Sequence, residues 1–317
     1  MMRSEFEFIQ HIKKKYALKH IGDDCAVLPK DDKTDMVITA DLLVEDIDFR
    51  LDWTTAKFLG HKALAVSLSD IAAMGATPKW AMLSIGVPEK LWNSDFLDEF
   101  YEGWHDLAKE FGVELIGGDI SRVLDKIVID SVLSGEVPKG KAILRSVAKP
   151  GDAIYVSGEL GGAAAGLELL KNGLRNSEKL NSAELKLIRA QLAPTPKKGF
   201  VFQTFGVAAM IDLSDGLSSD LAHICSASGI GAKIFSETLP INSNFGSLDL
   251  SSEKKLDLVL NGGEDFELLF TVDEKKISPE FLTEFHRIGE ATANVGIIEL
   301  INAGETVVLE PKGYRHF

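Results

Sequence analysis

The chain has 317 residues, 45% of them hydrophobic, and a formal net charge of −14 at pH 7. This length predicts two domains with sizeable cores, and the negative charge excludes a protein that binds nucleic acid through a basic surface. The two cysteines, Cys25 and Cys225, form neither a disulfide framework nor a metal-thiolate motif, which favours a reducing compartment. The apolar runs are too short to span a membrane, and Glu5 and Glu7 argue against a signal peptide. We therefore expect a cytoplasmic protein without nucleic-acid or membrane partners.

The hydrophobic pattern predicts helices and strands along the whole chain. Helices are predicted in the first half at 5–16, 58–74 and 94–111, and strands at 36–40, 80–87, 113–116 and 127–133. In the second half, strands are predicted at 153–157, 207–211 and 266–272, and helices at 164–170 and after residue 216. A turn at 149–152 suggests dividing the chain into domains 1–145 and 146–317. The expected fold class is α/β with mixed (α+β) sheets.

The most informative stretch is 211–220, where a buried strand is predicted to end in carboxylates and hydroxyls. Asp212, Ser214 and Asp215 follow the strand, and a helical pattern begins at once. Strand ends that face helix starts are where open α/β sheets bind ligands, and Mg²⁺ takes carboxylate oxygens together with substrate phosphates. A simple helix cap by Ser214 or Asp215 explains the same residues. The stretch alone therefore leaves metal binding and capping both open.

Other acids occur at comparable positions. Asp41 and Asp119 follow strands, Asp24 follows a glycine turn, and Asp70 interrupts an apolar helical run. An ionised carboxylate in such a helix must be paired or must bind a metal. Strand ends converge on one edge of a sheet, so these side chains are expected to meet Asp212 and share several Mg²⁺ ions that bridge to a polyphosphate.

The remaining motifs favour direct phosphoryl transfer. The sequence has no Gly-x-x-x-x-Gly-Lys-Ser/Thr motif, which excludes a P-loop enzyme. The glycine-rich run at 158–166 opens a helix, where it could bind an anion or serve packing alone. The cysteines and histidines, among them His223, provide no evident nucleophile. Phosphoryl transfer organised by metals needs mainly position and charge from the protein.

Seven motifs together resemble the thiamine-monophosphate kinase family. They run in order over nearly the whole chain: Gly22-Asp23-Asp24-Cys25-Ala26, Ala40-Asp41-Leu42-Leu43-Val44-Glu45, the stretch from Lys62 to Ala76 around Ser69-Asp70, Gly117-Gly118-Asp119, Ile211-Asp212-Leu213-Ser214-Asp215-Gly216-Leu217, Gly262-Gly263-Glu264-Asp265 and Lys312-Gly313-Tyr314-Arg315-His316-Phe317.

The resemblance implies ATP-dependent phosphorylation of thiamine monophosphate to thiamine diphosphate, with ATP as co-substrate and several Mg²⁺ ions. It also implies a homodimer and the two-domain PurM-like fold, in which an N-terminal α/β dimerisation domain precedes a C-terminal α/β domain.

The resemblance further implies a role for individual residues. The implied metal ligands are Asp24, Thr39, Ala40, Asp41, Asp70, Asp119, Asp212 and Asp215. The implied ATP contacts are Thr39, Tyr101, Gly118, Asp119, Arg145 and Ser214. Asp48, Glu264 and Pro311 are implied on the substrate side, and Asp119, Asp212 and Arg145 in catalysis. Asp220, one helical turn after Asp215, is expected to lie outside the site.

Three residues depart from the family pattern. Asp48 stands where a histidine is often found, Pro311 where some members carry an aromatic residue, and Ala40 where a serine or threonine is common. The alternatives are another ATP-using member of the superfamily, such as aminoimidazole ribonucleotide synthetase, and a non-catalytic nucleotide or cation sensor. The Gly-Gly-Glu-Asp motif and the C-terminal motif favour the kinase. A sensor would need fewer carboxylates.

Overall fold

The computed structural model describes residues 5–177, 180–277, 283–314 and 316. Arg315 and Phe317 of the C-terminal motif lie outside this part. The first half of the chain forms a five-stranded sheet in the order β1-β2-β5-β3-β4, antiparallel except for the parallel β3–β4 pair. Its strands are β1 (Ala26–Pro29), β2 (Thr34–Val44), β3 (Thr77–Pro88), β4 (Glu114–Val123) and β5 (Val128–Pro138). Its helices are α1 (Glu5–Tyr16), α2 (Ala56–Ala73), α3 (Glu89–Trp92) and α4 (Phe96–Phe111).

The second half forms a seven-stranded mixed sheet in the order β12-β11-β8-β10-β6-β9-β7. Its strands are β6 (Ala153–Val156), β7 (Ala209–Asp212), β8 (Gly231–Phe235), β9 (Leu268–Val272), β10 (His286–Thr292), β11 (Ile298–Asn302) and β12 (Glu305–Val308). Its helices are α5 (Gly162–Lys171), α6 (Ser182–Leu192), α7 (Leu217–Ser228) and α8 (Ser252–Asn261). The predicted mixed α/β class is confirmed.

Helix α2 occupies the centre of the molecule. Thr55 caps its N-terminus by accepting a hydrogen bond from the Phe58 amide, and most of its side chains are buried, as expected of a helix that is apolar on all sides. Its middle packs on the first sheet, whereas Ala72 and Ala73 belong to the core of the second half. The helix therefore joins the two halves through continuous packing.

Helix α4 packs beside α2 and confirms the predicted amphipathic helix. Phe100 and Trp104 are buried in the core of the first half, as their spacing predicts. Gly60 allows the close crossing, because a Cβ atom there would lie 1.8 Å from the backbone oxygen of Phe100. This contact places residue 100 beside the N-terminal half of α2. Within the described residues, no helix is long and apolar enough to cross a membrane.

Candidate functional site

Three carboxylates from distant parts of the sequence meet where the two halves join. Asp24 precedes β1, Asp70 lies in the last turns of α2, and Asp212 ends β7. Each offers an oxygen atom within 4.8 Å of those of the other two. Asp24 and Asp212 are buried, while Asp70 stays partly exposed. The strand end and the acid in the apolar helix that the sequence singles out thus come together, and both halves of the chain contribute to the cluster.

Hydroxyl groups hold these carboxylates in place. Thr39 on β2 donates a hydrogen bond to Asp70, and Ser69 donates to Asp212 over 2.7 Å. Two residues before Ser69 on α2, Ser67 donates to Asp41 over 2.6 Å. A hydroxyl orients a carboxylate without adding positive charge, so the negative charge of the group remains available to a cation.

Arg145 supplies positive charge at one side of the cluster. Its Nη2 and Nε atoms donate to the two carboxylate oxygens of Asp24 over 2.6 and 3.2 Å, and its backbone amide donates to Asp23 over 3.1 Å. The bidentate geometry fixes the guanidinium. One guanidinium leaves Asp70, Asp212 and Asp41 without a full countercharge.

The uncompensated charge raises the pKa values of the cluster. Burial and the neighbouring carboxylates Asp41, Asp212 and Asp24 raise the pKa of Asp70 well above its ordinary value. Burial and Asp24 raise the pKa of Asp212 to about 8, and burial raises the pKa of Asp41 to about 6. Oxygen ligands at high negative charge density fit a hard divalent cation such as Mg²⁺, which would relieve this repulsion.

A second group of potential ligands lies just after Asp212. Asp215, Asp220 and His223 offer ligand atoms within 4.8 Å of one another. The Asp220 carboxylate accepts hydrogen bonds from the backbone amides of Asp215 and Gly216 over 3.2 and 3.0 Å. Asp220, expected to lie outside the site, therefore shapes the turn that presents Asp215. Burial lowers the pKa of His223 to about 4, which keeps the imidazole neutral.

A cavity of about 670 Å³ opens beside the cluster. Its lining includes Asp48, Lys62, Gln191, Ser214, Asp215, Glu264 and the segment 312–314. The Glu264 carboxylate pairs with Lys62 over 2.7 Å and accepts a hydrogen bond from Gln191. The backbone of Glu264 has a φ of 66°, which is uncommon for a residue other than glycine.

Of the remaining substrate-side residues, Asp48 lines the same cavity. Asp48 accepts a hydrogen bond from the Val44 amide over 2.8 Å, and burial raises its pKa. Pro311 directly precedes the segment 312–314, whose first two backbone amides donate to Ser218 and Ser219 over 3.2 and 3.0 Å. Ala40 lies between Thr39 and Asp41 on β2. Alternation along a strand turns its side chain away from the cluster, so it can offer only backbone atoms.

The structure places Asp119 apart from the three clustered carboxylates. It lies on edge strand β4, paired with Ser84 of β3, and two strands separate β4 from β2. At about 4.8 Å per strand, Asp119 is some 14 Å from the β2 residues. Gly118 is required where it stands, because a Cβ atom there would lie 1.8 Å from the backbone oxygen of Leu83.

Tyr101 also lies away from the cluster. Its ring packs edge-on against Phe100. Because Phe100 lies against Gly60, Tyr101 lies beside the same part of α2. Asp70 is ten residues further along that helix, or about 15 Å at 1.5 Å per residue. The ligand roles of Asp119 and Tyr101 stay predictions.

Two residues of the site have no counterpart among the sequence predictions. Lys62 is buried on α2 and donates to the backbone oxygen of Gln191 over 3.2 Å. A lysine inside an apolar helical run needs a partner as much as Asp70 does, so the same reasoning identifies it. Gln191 offers no such indication, because an uncharged residue on an amphipathic helix is ordinary.

Models of two protein families match the chain. AIR synthase related protein, N-terminal domain, matches residues 22–137, and AIR synthase related protein, C-terminal domain, matches residues 149–300. The first matched region contains every strand of the first sheet except the final residue of β5. The chain that carries this fold and carboxylate cluster is therefore a two-domain protein of the AIR synthase related class.

Similarity to curated relatives identifies the family within this class. Thiamine-monophosphate kinase of Bacillus subtilis (strain 168) is 37% identical over 308 residues, covering 94% of this chain and 93% of the relative. Thiamine-monophosphate kinase of Escherichia coli (strain K12) is 40% identical over 305 residues, covering 94% and 91%. The chain belongs to the thiamine-monophosphate kinase family, which confirms the resemblance seen in its motifs.

Solved structures agree with this assignment. The structure titled AaThiL complexed with AMPPCP and TMP superposes with a TM-score of 0.88 at 34% identity, covering 100% of this chain and 99% of that one. Thiamine-monophosphate kinase from Stenotrophomonas maltophilia K279a gives a TM-score of 0.80 at 34% identity, covering 96% and 98%. The hydrogenase maturation protein HypE in complex with ATP shares the fold at 20% identity and a TM-score of 0.67, covering 93% and 89%. The predicted PurM-like fold is confirmed.

We predict that the protein without divalent cations loses stability as the pH rises from about 4 to about 8. Asp212 stays protonated in the folded state up to a pKa of about 8, against an ordinary value of 3.8. The folded state therefore binds more protons than the unfolded state in this range, and the free energy of unfolding falls with rising pH. Urea unfolding in EDTA at several pH values measures the slope.

The Asp212→Asn substitution should reduce this slope, because the amide does not titrate. Asp249→Asn, at an exposed position, is the control and should keep the slope of the wild type. Added MgCl₂ should stabilise the wild type more than Asp212→Asn, since a ligand of the folded state stabilises it by mass action. Equal slopes in the wild type and Asp212→Asn would contradict the charge repulsion inferred for the cluster.

Proposed function

We propose that this protein transfers the γ-phosphoryl group of ATP to thiamine monophosphate and produces thiamine diphosphate. The single observation that carries the proposal is the convergence of Asp24, Asp70 and Asp212 from both halves of the chain beside a large acidic cavity. Membership in the thiamine-monophosphate kinase family supports the choice of substrate. The domain boundary that we propose lies between residues 145 and 146, in the interval between the two matched family models.

Several Mg²⁺ ions are the proposed metal complement. The donor set is made of oxygen atoms, and its pKa values are raised by burial and by carboxylates placed together without enough positive charge. Bound Mg²⁺ would neutralise phosphate charge and hold the reacting oxygens together. The proposed ligands are Asp24, Thr39, Ala40, Asp41, Asp70, Asp119, Asp212 and Asp215, with Ala40 contributing backbone atoms.

The proposed nucleotide contacts combine charge with hydrogen bonding. The rigid guanidinium of Arg145 is suited to phosphate oxygens, and Ser214 lies at the border of the cavity beside Asp215. The set is completed by Thr39, Gly118, Asp119 and Tyr101. The acceptor is already a phosphate anion, so the transfer needs no strong general base. Its barrier is the repulsion between two anions, which positive charge and fixed positions relieve.

The cavity suits a substrate with a cationic ring. Asp48, Asp215 and Glu264 lie around its wall, and thiamine monophosphate carries a positively charged thiazolium. We propose that Asp48 and Glu264 face the thiamine end and that Pro311 borders it. Asp48 can attract the cation where a histidine in other family members could stack on it.

A homodimer is the proposed assembly. Edge strand β4 and the adjoining outer face of the first sheet expose large apolar side chains, which marks an interaction surface. These are Leu42, Met82, Leu115, Ile116 and Ile120. We define them as the β4 surface. Asp119 lies on the same strand, so an interface here would enclose the predicted ligand that is distant from the other carboxylates.

Incubation of the purified protein with ATP, Mg²⁺ and thiamine monophosphate tests the function directly. Thiamine diphosphate is expected as product and is detected by the fluorescence of its thiochrome after oxidation. Consumption of ATP without this product would contradict the proposal. ATP-dependent turnover of an amide substrate supplied in place of thiamine monophosphate would instead support the alternative of an aminoimidazole ribonucleotide synthetase.

We expect Asp212→Asn and Asp119→Asn each to lower turnover at least ~100-fold, the scale for the loss of one electrostatic group at a transition state. Neither substitution should lower the melting temperature by more than a few degrees, because each keeps the side-chain volume. Steady-state kinetics and thermal unfolding measure the two effects, with Asp249→Asn as the control. Wild-type turnover in both variants would refute the metal hypothesis.

We further expect Ile116→Lys to convert the dimer to a monomer, because it places a charge in an apolar contact. Light scattering after size-exclusion chromatography measures the mass. Val308→Lys on β12 is the matched control, since the two residues are similarly exposed, at 58% and 61%. A wild-type protein that is monomeric at micromolar concentration would refute the dimer, and a dimeric Ile116→Lys variant would refute the β4 surface as its interface.

A further inference from the structure

The N-terminus of α5 is occupied by a carboxylate from a distant part of the chain. Asp265 accepts hydrogen bonds from the backbone amides of Gly161 over 2.6 Å and Ala163 over 3.1 Å, one on each carboxylate oxygen. Gly161 is the residue at the N-cap position, and it has no side chain that could accept such bonds. The amides at the start of a helix need an acceptor. Asp265 therefore supplies the cap that the sequence of α5 lacks.

This contact decides between the two roles that the sequence leaves open for the glycine-rich run at 158–166. The carboxylate of Asp265 already satisfies the amides that an anion from solution would need. The surroundings are closely packed as well, because a Cβ atom at Gly161 would lie 2.9 Å from the ring of Phe245. The run thus binds a carboxylate of its own chain.

The two neighbours of Asp265 have a strained backbone. Glu264 and Phe266 have φ values of 66° and 50°, in a region that is unfavourable for residues other than glycine. Their amides donate to the backbone oxygens of Ser214 and Leu213 over 2.8 and 2.9 Å. A strained loop persists only when contacts on several sides fix it. Asp265, which lies between the two strained residues, provides the contact with α5.

This loop places the Glu264 side chain in the cavity wall. The carboxylate pairs with Lys62 over 2.7 Å, and 28% of the Glu264 side-chain surface stays exposed, so a ligand in the cavity can reach it. Four residues of α5 line the same cavity. Asp265 therefore joins two parts of the wall, the loop that carries Glu264 and the helix beside it.

We propose that Asp265 is a positioning residue for the substrate and acts through Glu264. By binding the N-terminus of α5, it fixes the Glu264 carboxylate in the cavity wall and thereby sets the affinity for thiamine monophosphate. This inference rests on the proposed function, in which Glu264 faces the cationic thiamine end. The nucleotide side has a separate anchor, because Asp220 holds the turn at Asp215 and Gly216. A change at Asp265 should therefore weaken the binding of thiamine monophosphate and leave that of ATP unchanged.

Steady-state kinetics of Asp265→Asn, Glu264→Gln and the double variant test the proposal. Asparagine has nearly the shape of aspartate, but it offers one acceptor to two amides and sets an N–H donor against the other. Burial raises the pKa of Asp265 to about 7, so the assays are run at about pH 8, where most of the carboxylate is ionised.

Asp273→Asn is the matched control. Asp273 accepts a hydrogen bond from the Lys275 amide over 3.2 Å and caps the short helical turn that follows β9, outside the lining of the cavity. Its substitution removes a cap of the same kind, and both KM values should stay those of the wild type.

Asp265→Asn should raise the KM for thiamine monophosphate about tenfold, the scale for the loss of one hydrogen bond to a charged group. Its kcat and its KM for ATP should stay within about twofold of the wild type, since the nucleotide side keeps its own anchor. In the Glu264→Gln background the same substitution should leave the KM for thiamine monophosphate unchanged, because the carboxylate that Asp265 positions is already gone.

A tenfold rise that persists in the Glu264→Gln background overturns the proposal. An equal rise in the KM for both substrates also overturns it, because a general loss of structure would have that effect. Thermal unfolding shows whether Asp265→Asn is folded. Asp265→Ser, with a smaller side chain and one hydroxyl acceptor, should show the same selective rise, and loss of folding in both variants overturns the separate role of Asp265.

The same assays separate this proposal from the proposed function. A wild-type protein that does not phosphorylate thiamine monophosphate overturns the proposed function. An active wild type with an unchanged KM in both Asp265 variants overturns the positioning role alone.

Discussion

The structure depends on a helix that is buried between two sheets while it carries polar side chains. A buried polar group is tolerated only when it is paired, so each such residue of α2 requires a partner from another element. Ser67 reaches Asp41, Ser69 reaches Asp212, and Lys62 reaches Glu264. Thr39 in turn reaches Asp70. The contacts that make the burial of α2 possible are also those that assemble the site.

This arrangement connects stability with ligand binding. Asp24, Asp70 and Asp212 are held together by packing, by hydroxyl groups and by Arg145, although their charges repel. The fold thus maintains a site with too little positive charge, and a bound cation lowers the free energy of the folded state. Both halves contribute carboxylates to this cluster. A cation that neutralises the cluster is therefore expected to stabilise the packing of the two halves against each other.

Much of the fold and part of the site could be predicted from the sequence. The sequence points to Asp70 because an acid in an apolar helix has few ordinary explanations, and to Asp212 because it ends a buried strand. Lys62 is open to the same reasoning. The motifs alone indicate the family, since seven of them occur in order.

The remainder depends on distances that sequence patterns do not contain. The sequence predicts that Asp119 follows an apolar strand, yet it lies within β4, which β3 and β5 separate from β2. Strand order is set by tertiary pairing. Tyr101 shares a helix with aromatic residues of the core, and only the crossing of α2 and α4 fixes its position along the axis of α2. Gln191 joins the site only through its contacts with Lys62 and Glu264. Each of these features arises from contacts between residues far apart in the chain.

The carboxylates gathered around α2 are proposed to form a divalent-cation site. Crystals grown with Mn²⁺ and AMPPCP, measured at the manganese absorption edge, test it most directly. An anomalous peak within coordination distance of Asp24, Asp70 and Asp212 is the predicted result. Nucleotide bound in the cleft with no anomalous peak at these three residues would contradict it.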